Sequence, residues 1–98
     1  MIVEIAQIDI KTGAAERFED GVRCARELFL SAKGCHGVTL WRSVEHPLRY
    51  RLVVEWETVE HHTVTFRGSA NFAVWRNLVH EFFASPPEVE HQEFIPLF

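Results

Sequence analysis

Apolar and polar positions alternate through residues 2–10. Val3, Ile5, Gln7 and Asp9 fall on one side of an extended segment, and Ile2, Glu4, Ala6, Ile8 and Ile10 on the other. Both sides carry aliphatic residues, so this strand calls for cover on each face. Thr12-Gly13 breaks the alternation, with Thr12 placed to cap a helix. Over residues 14–33 the period becomes helical. Phe18, Val22, Ala25, Leu28 or Phe29, and Ala32 make an inward stripe, while Glu16, Glu19, Arg23, Arg26 and Glu27 face solvent. Gly34 suits the left-handed residue that ends a helix. Alternation returns over 37–45 and over 49–57, where Tyr50, Leu52, Val54 and Trp56 oppose Arg51, Val53, Glu55 and Glu57. The short His46-Pro47-Leu48 connection predicts an antiparallel hairpin. Thr58 caps a short helix with Glu60 in its first turn, ending near Gly68. Ser69 caps a longer one over 70–84, with Phe72, Trp75, Leu78 or Val79, and Phe82 inward. Ser85-Pro86-Pro87 stops it, and 88–95 reads as a last strand running into the apolar tail Phe94-Ile95-Pro96-Leu97-Phe98.

The order βαββαβ predicts one α+β domain over residues 1–98. It is the ferredoxin-like arrangement, an antiparallel four-stranded sheet with helices on one face. The other face is left uncovered although the first and third strands are apolar on both sides, so the pattern predicts a homodimer packed sheet against sheet. Composition sharpens this. Twelve aromatic residues in 98 exceed what a small monomer hides easily, so a partner covers some or they line a pocket. A net charge of −4 supplies no basic stripe for nucleic acid. No apolar run approaches the ~20 residues of a membrane span, and Met1-Ile2-Val3-Glu4 does not resemble a signal peptide, which predicts a cytoplasmic location. Cys24 and Cys35 are then reduced thiols.

From Gly34 to His91 the chain resembles the antibiotic biosynthesis monooxygenase (ABM) family of dimeric α/β barrels. The resemblance is carried by Gly34-Cys35, the Pro47 turn, and Tyr50 through Trp56-Glu57-Thr58. It continues with Glu60, His62-Thr63-Val64, Phe66-Arg67-Gly68-Ser69, Phe72 and Trp75-Arg76, and ends in Pro86-Pro87-Glu88-Val89-Glu90-His91. It implies a homodimer whose sheets close into a barrel, with a pocket between helices and sheet in each subunit. Some members oxygenate polycyclic aromatic molecules with O₂ and no metal, flavin or haem; others degrade haem or act as small isomerases. The haem degraders use an Asn on the first strand and a Trp and a His on the second helical region. Here those positions fall at Ala6 or Gln7, near Phe66, and at Trp75-Arg76, so the resemblance implies no haem degradation and no cofactor.

Candidate chemistry centres on His62. Val59, His62 and Phe66 share one helical stripe that faces the sheet. A neutral imidazole there is a candidate catalytic base for a phenolic or enolic proton; the alternative is a structural histidine bonded to a backbone carbonyl, Glu55 or Glu57. His91 reads as structural or interfacial. Metal binding finds no motif: His61 and His62 are neighbours that diverge by about 100° on a helix, and no His-Glu-x-x-His or Cys-x-x-Cys spacing occurs. Cys35 follows a helix C-terminus, which raises a thiol's pKa and disfavours a nucleophile. Tyr50, Trp56, Phe66, Phe72 and Trp75 either line an apolar slot for a flat ring or simply form core, and Arg67 and Arg76 are candidates to meet an anionic group. The reading is a cofactor-independent monooxygenase of a small aromatic or quinol-type metabolite, with His62 as base and Tyr50, Trp56, Phe66, Phe72, Trp75 and Arg76 around the substrate. A non-catalytic dimer binding a hydrophobic small molecule and an enol-directed isomerase are the alternatives.

Overall fold

The computed structural model describes residues 1–98. Its elements are β1 (Ile2–Asp9), α1 (Ala15–Leu30), β2 (Cys35–Arg42), β3 (Arg49–Trp56), a π-helical turn (His61–Phe66), α2 (Ala70–Val79) with a terminal 3₁₀ turn (His80–Phe82), and β4 (Glu88–Glu93). The strands form one antiparallel sheet in the order β2-β3-β1-β4, the ferredoxin-like topology, with open edges at β2 and β4. Helices cover one face only, giving a two-layer slab of 37 × 36 × 19 Å. No helix is long and apolar enough to cross a membrane.

Register decides what each face carries. The helix-facing row of β1 is half-buried Ile2 and buried Glu4, Ala6 and Ile8, continued beyond the strand by buried Ile10, and that of β3 is Tyr50, Leu52, Val54 and Trp56, all buried. The opposite row, with Val3, Ile5 and Val53 at its centre, is half-buried at most, and Trp41 on β2 is 65% exposed. An aromatic ladder fastens helices to sheet. Phe29 of α1 meets Phe66 and Trp75 at ring-centroid distances of 5.0 and 5.1 Å, and Phe66 meets Trp56 at 5.4 Å. Tilted and edge-on contacts at this range add to the area they bury.

Several boundaries differ from the expected ones for local reasons. Thr12 does not cap α1: the chain turns at Gly13, φ +79°, and Ala14 occupies the cap position with no side-chain bond. Ser69 does cap α2, its hydroxyl accepting from the Phe72 N–H at 3.4 Å, and Thr58 accepts from the His61 N–H at 3.2 Å. The helix after Thr58 is a single widened turn in which Arg67 N–H reaches back five residues to the His62 carbonyl. β2 begins earlier than expected, at Cys35, through a bulge between Cys35 and Gly37. Gly34, at φ +82°, lies beneath the His61 ring, where a Cβ would come within 2.4 Å of it. The tail after β4 adds no strand, and Phe94, Ile95, Leu97 and Phe98 are exposed.

Candidate functional site

Glu4 is the one charged residue in an otherwise aliphatic row, and the fold buries it to 5% exposure. Its surroundings follow from register. β4 places His91 directly across from Glu4, and Trp56 closes the helix-facing row of β3 beside it. The π-helical turn lays His62, 3% exposed, over this corner, and a π-turn is the kind of local widening often found at functional positions. His62 stacks on the Trp56 ring with centroids 5.6 Å apart and planes 16° from parallel.

These four side chains form a continuous polar row. The Trp56 indole N–H donates to Glu4 Oε1 at 2.9 Å. His62 Nε2 lies 3.3 Å from the same oxygen, and His62 Nδ1 is 2.8 Å from His91 Nε2. Burial raises the Glu4 carboxyl above its ordinary range, while the Trp56 hydrogen bond and the charge of Arg67 pull the other way. Burial holds His62 down to about 4, and the charges of Arg67 and His91 push it in the same direction. At neutral pH His62 is therefore an uncharged imidazole with Nδ1 hydrogen-bonded to His91 and Nε2 close to Glu4 Oε1.

A cavity of about 500 Å³ opens beside this row between the sheet and α2. Ala6, Ile8 and Leu52 form its apolar floor, and Phe72 and Trp75 wall it. Glu4 and His62 are the buried polar groups on its surface, while Arg67, Arg76 and His80 border it from exposed positions. No ion pair holds Arg67 or Arg76, so both guanidinium groups are available to an anionic group on a bound molecule. The volume and lining suit a flat ring system met by a carboxyl and an imidazole at one end.

Among the residues picked out from sequence, His62, Phe72, Trp75 and Arg76 meet at this cavity. Tyr50, Trp56 and Phe66 do not line it. Trp56 and Phe66 are consumed by packing, and Trp56 supports the site from behind through its indole bond to Glu4 and its stacking on His62. Tyr50 sits at the far end of β3 against Phe18, at a centroid distance of 4.9 Å. The structural alternative for His62 is also corrected, since its partners are Glu4 and His91 rather than a carbonyl, Glu55 or Glu57. Glu4 was legible as a charge in an apolar row, which is rarely buried without a purpose or a partner. His91 required the β1–β4 register, which no local pattern carries.

Comparison with known proteins gives a consistent result. The family model described as antibiotic biosynthesis monooxygenase matches residues 1–78. The uncharacterised protein YczJ of Bacillus subtilis (strain 168) is 41% identical over 91 residues, spanning 93% of this chain and 96% of its own. The crystal structure of a candidate antibiotic biosynthesis monooxygenase from Bordetella bronchiseptica is similar at a TM-score of 0.95 with 55% identity, covering 96% of each chain. A candidate monooxygenase of the same description from Nitrosomonas europaea shares the fold at a TM-score of 0.81 with 22% identity over the whole of both chains.

Proposed function

Because the chain belongs to the antibiotic biosynthesis monooxygenase family, we propose that it oxygenates a small phenolic or quinol-type aromatic molecule with O₂, in the cavity between sheet and α2. The observation that carries this reading is the pairing of an apolar, ring-sized space with a buried carboxyl–imidazole pair on its wall. With an anthrone as substrate, the Glu4–His62 pair takes the proton of the enolic hydroxyl, leaving an electron-rich anion. That anion passes an electron to O₂, and the two radicals join as a peroxide. Protonation and loss of water leave the ring ketone, so that anthrone and O₂ give anthraquinone and water. The protein's part is to remove the proton, to place Phe72 and Trp75 against the ring, and to keep water from the anion. Arg67 and Arg76 favour a substrate with an anionic or strongly polarised oxygen at the cavity mouth.

The second copy belongs to the same reading. The half-buried Val3, Ile5 and Val53 on the helix-free face, beside exposed Trp41, support a partner packed against the sheet. An oxygen electrode with anthrone, 1,8-dihydroxyanthrone and naphthoquinol tests the chemistry. One O₂ consumed per quinone formed is expected. Saturable binding without O₂ uptake would make the protein a carrier, and conversion without O₂ uptake would make it an isomerase. Sedimentation velocity on the same sample should give a dimer, and a monomer at micromolar concentration would remove the partner copy.

A further inference from the structure

The two oxygens of Glu4 have different surroundings. Oε1 takes the Trp56 indole N–H and faces His62 Nε2, while no protein group bonds to Oε2. Every fully buried side-chain nitrogen and oxygen has a hydrogen-bond partner, so Oε2 is not sealed in; it lies open where Glu4 forms part of the cavity wall. His91 Nε2 meets His62 Nδ1, nothing engages His91 Nδ1, and His91 is half-buried on the edge strand β4, so Nδ1 reaches the outer surface. A row of neighbouring atoms therefore runs from cavity to solvent: Glu4 Oε2 and Oε1, then His62 Nε2 at 3.3 Å from Oε1, and His62 Nδ1 hydrogen-bonded to His91 Nε2, with His91 Nδ1 at the outer end.

We propose that Glu4 is the group that receives the substrate proton, and that His62 and His91 form a proton wire between its carboxyl and solvent. The catalytic role rests on the oxygenase reading of the cavity; the wire itself does not. Proton positions balance at each step. Glu4 begins protonated on Oε1 and donates to His62 Nε2, His62 Nδ1–H donates to His91 Nε2, and His91 carries its hydrogen on Nδ1. A substrate hydroxyl gives its proton to Oε2 as Oε1 releases its own to His62. His62 passes its Nδ1 proton to His91, and His91 releases its Nδ1 proton to water. Glu4 then holds a proton on Oε2, aimed at the peroxide, and gives it up there. A proton entering at His91 Nδ1 moves inward through both rings and restores the first state.

Each histidine exchanges one tautomer for the other and neither needs to become an imidazolium. That agrees with a His62 whose burial disfavours the charged form. The other ionisable groups facing the row are Arg67 at the end of the π-turn, Arg76 and His80 on the cavity border, and Cys35 at the start of β2. Arg67 and Arg76 are held by no partner that moves with the proton.

Nitrogen NMR of the full chain labelled with ¹⁵N-histidine tests the wire without a substrate. As rising pH ionises Glu4, the protonated nitrogen of His62 should switch from Nδ1 to Nε2 in step with that of His91, and the switch should vanish in Glu4→Gln. A His62 that keeps one tautomer throughout, or that switches equally in Glu4→Gln, overturns the proposal. The kinetic arm uses anthrone and His91→Gln, whose amide oxygen still accepts from His62 Nδ1–H but cannot pass a proton on. Its kcat should fall about 10-fold or more at unchanged KM, and added imidazole should restore it. Wild-type turnover in His91→Gln would overturn the wire's role. A wild-type protein that never oxidises anthrone would count against the oxygenase reading, while the NMR result would still decide the wire.

Discussion

The two ends of β3 carry the same bond and put it to different use. At one end the Trp56 indole donates to Glu4 at 2.9 Å; at the other the Tyr50 hydroxyl donates to Glu19 at 2.5 Å. Both aromatic rings are buried, at 0% and 1% exposure. The carboxylates differ. Glu19 projects from α1 with its side chain 40% exposed, and Arg42 lies 3.9 Å away, its guanidinium also over the Tyr50 ring. Water and a cation support that charge, and the bond fastens helix to sheet. Glu4 has a side chain only 7% exposed, with a neutral imidazole in place of an arginine and one oxygen left toward a cavity. A buried carboxyl whose charge is incompletely balanced is poised to change protonation state; a solvated, paired one is not.

Replacing each carboxylate by its amide separates the two ends most strongly. Glu4→Gln keeps size and hydrogen-bonding capacity but cannot accept a proton, so anthrone oxidation should fall by about 100-fold or more. Glu19→Gln makes the same change at the other end and should leave turnover within about 2-fold, since Glu19 faces no cavity wall. Initial rates of O₂ uptake at saturating anthrone check both. Equal losses would mean that the two carboxylates share a structural role.

Stability against pH separates the ends on different sides of neutrality. His62 is held near 4 in the folded chain against an ordinary 6.5. Between those values the unfolded chain binds more protons, so stability should fall as pH drops from 6.5 toward 4 and lose nothing further to this group below that. Glu4, raised from 4.5, acts with the opposite sign: its folded form holds a proton that the unfolded form has released, which favours the acid side of its window. Tyr50 is pushed up to about 12 by burial and by Glu19, so its contribution is complete below 10 and lost as pH rises from 10 to 12. Urea midpoints should therefore fall on both sides, with His62→Gln flattening the acid limb and Tyr50→Phe the alkaline one. An acid limb unchanged in His62→Gln would contradict a buried neutral imidazole.

Much of this frame is legible in the amino-acid pattern alone. The alternation of Tyr50, Leu52, Val54 and Trp56 identifies the buried face of β3, because a strand with one covered side must place every second residue there. The stripe Val59, His62, Phe66 turns His62 inward even though its backbone is a π-turn, since the spacing of four from His62 to Phe66 keeps both on one side in either geometry. Aromatic residues are harder to place, because the same side chain fills a core or lines a cavity depending on what lies opposite. Trp56 and Phe66 face each other and α1, whereas Phe72 and Trp75 face a gap that only the assembled layers define. His91 joins the site through a strand pairing across more than eighty residues of chain, and no local period encodes that.

The two donors, the Trp56 indole and the Tyr50 hydroxyl, differ more modestly. Trp56→Phe removes the N–H that holds Glu4 Oε1 and leaves a void beside Val54 and Phe66. Together the lost bond to a buried carboxyl and the cavity should cost about 2–3 kcal/mol. Tyr50→Phe removes one hydroxyl and almost no volume, and Glu19 keeps both water and Arg42, so about 1 kcal/mol or less is expected. Urea unfolding at pH 7 measures both, and the proton states make the contrast specific. Without the indole donor, the Glu4 carboxylate loses support for its charge, its pKa should rise further, and the His62 tautomer switch should move to higher pH. The Tyr50 change should leave that switch where it was. A shift of equal size in both variants would show that the two ends of β3 are coupled through the strand, and that the carboxyl at the cavity does not owe its protonation to its own neighbours.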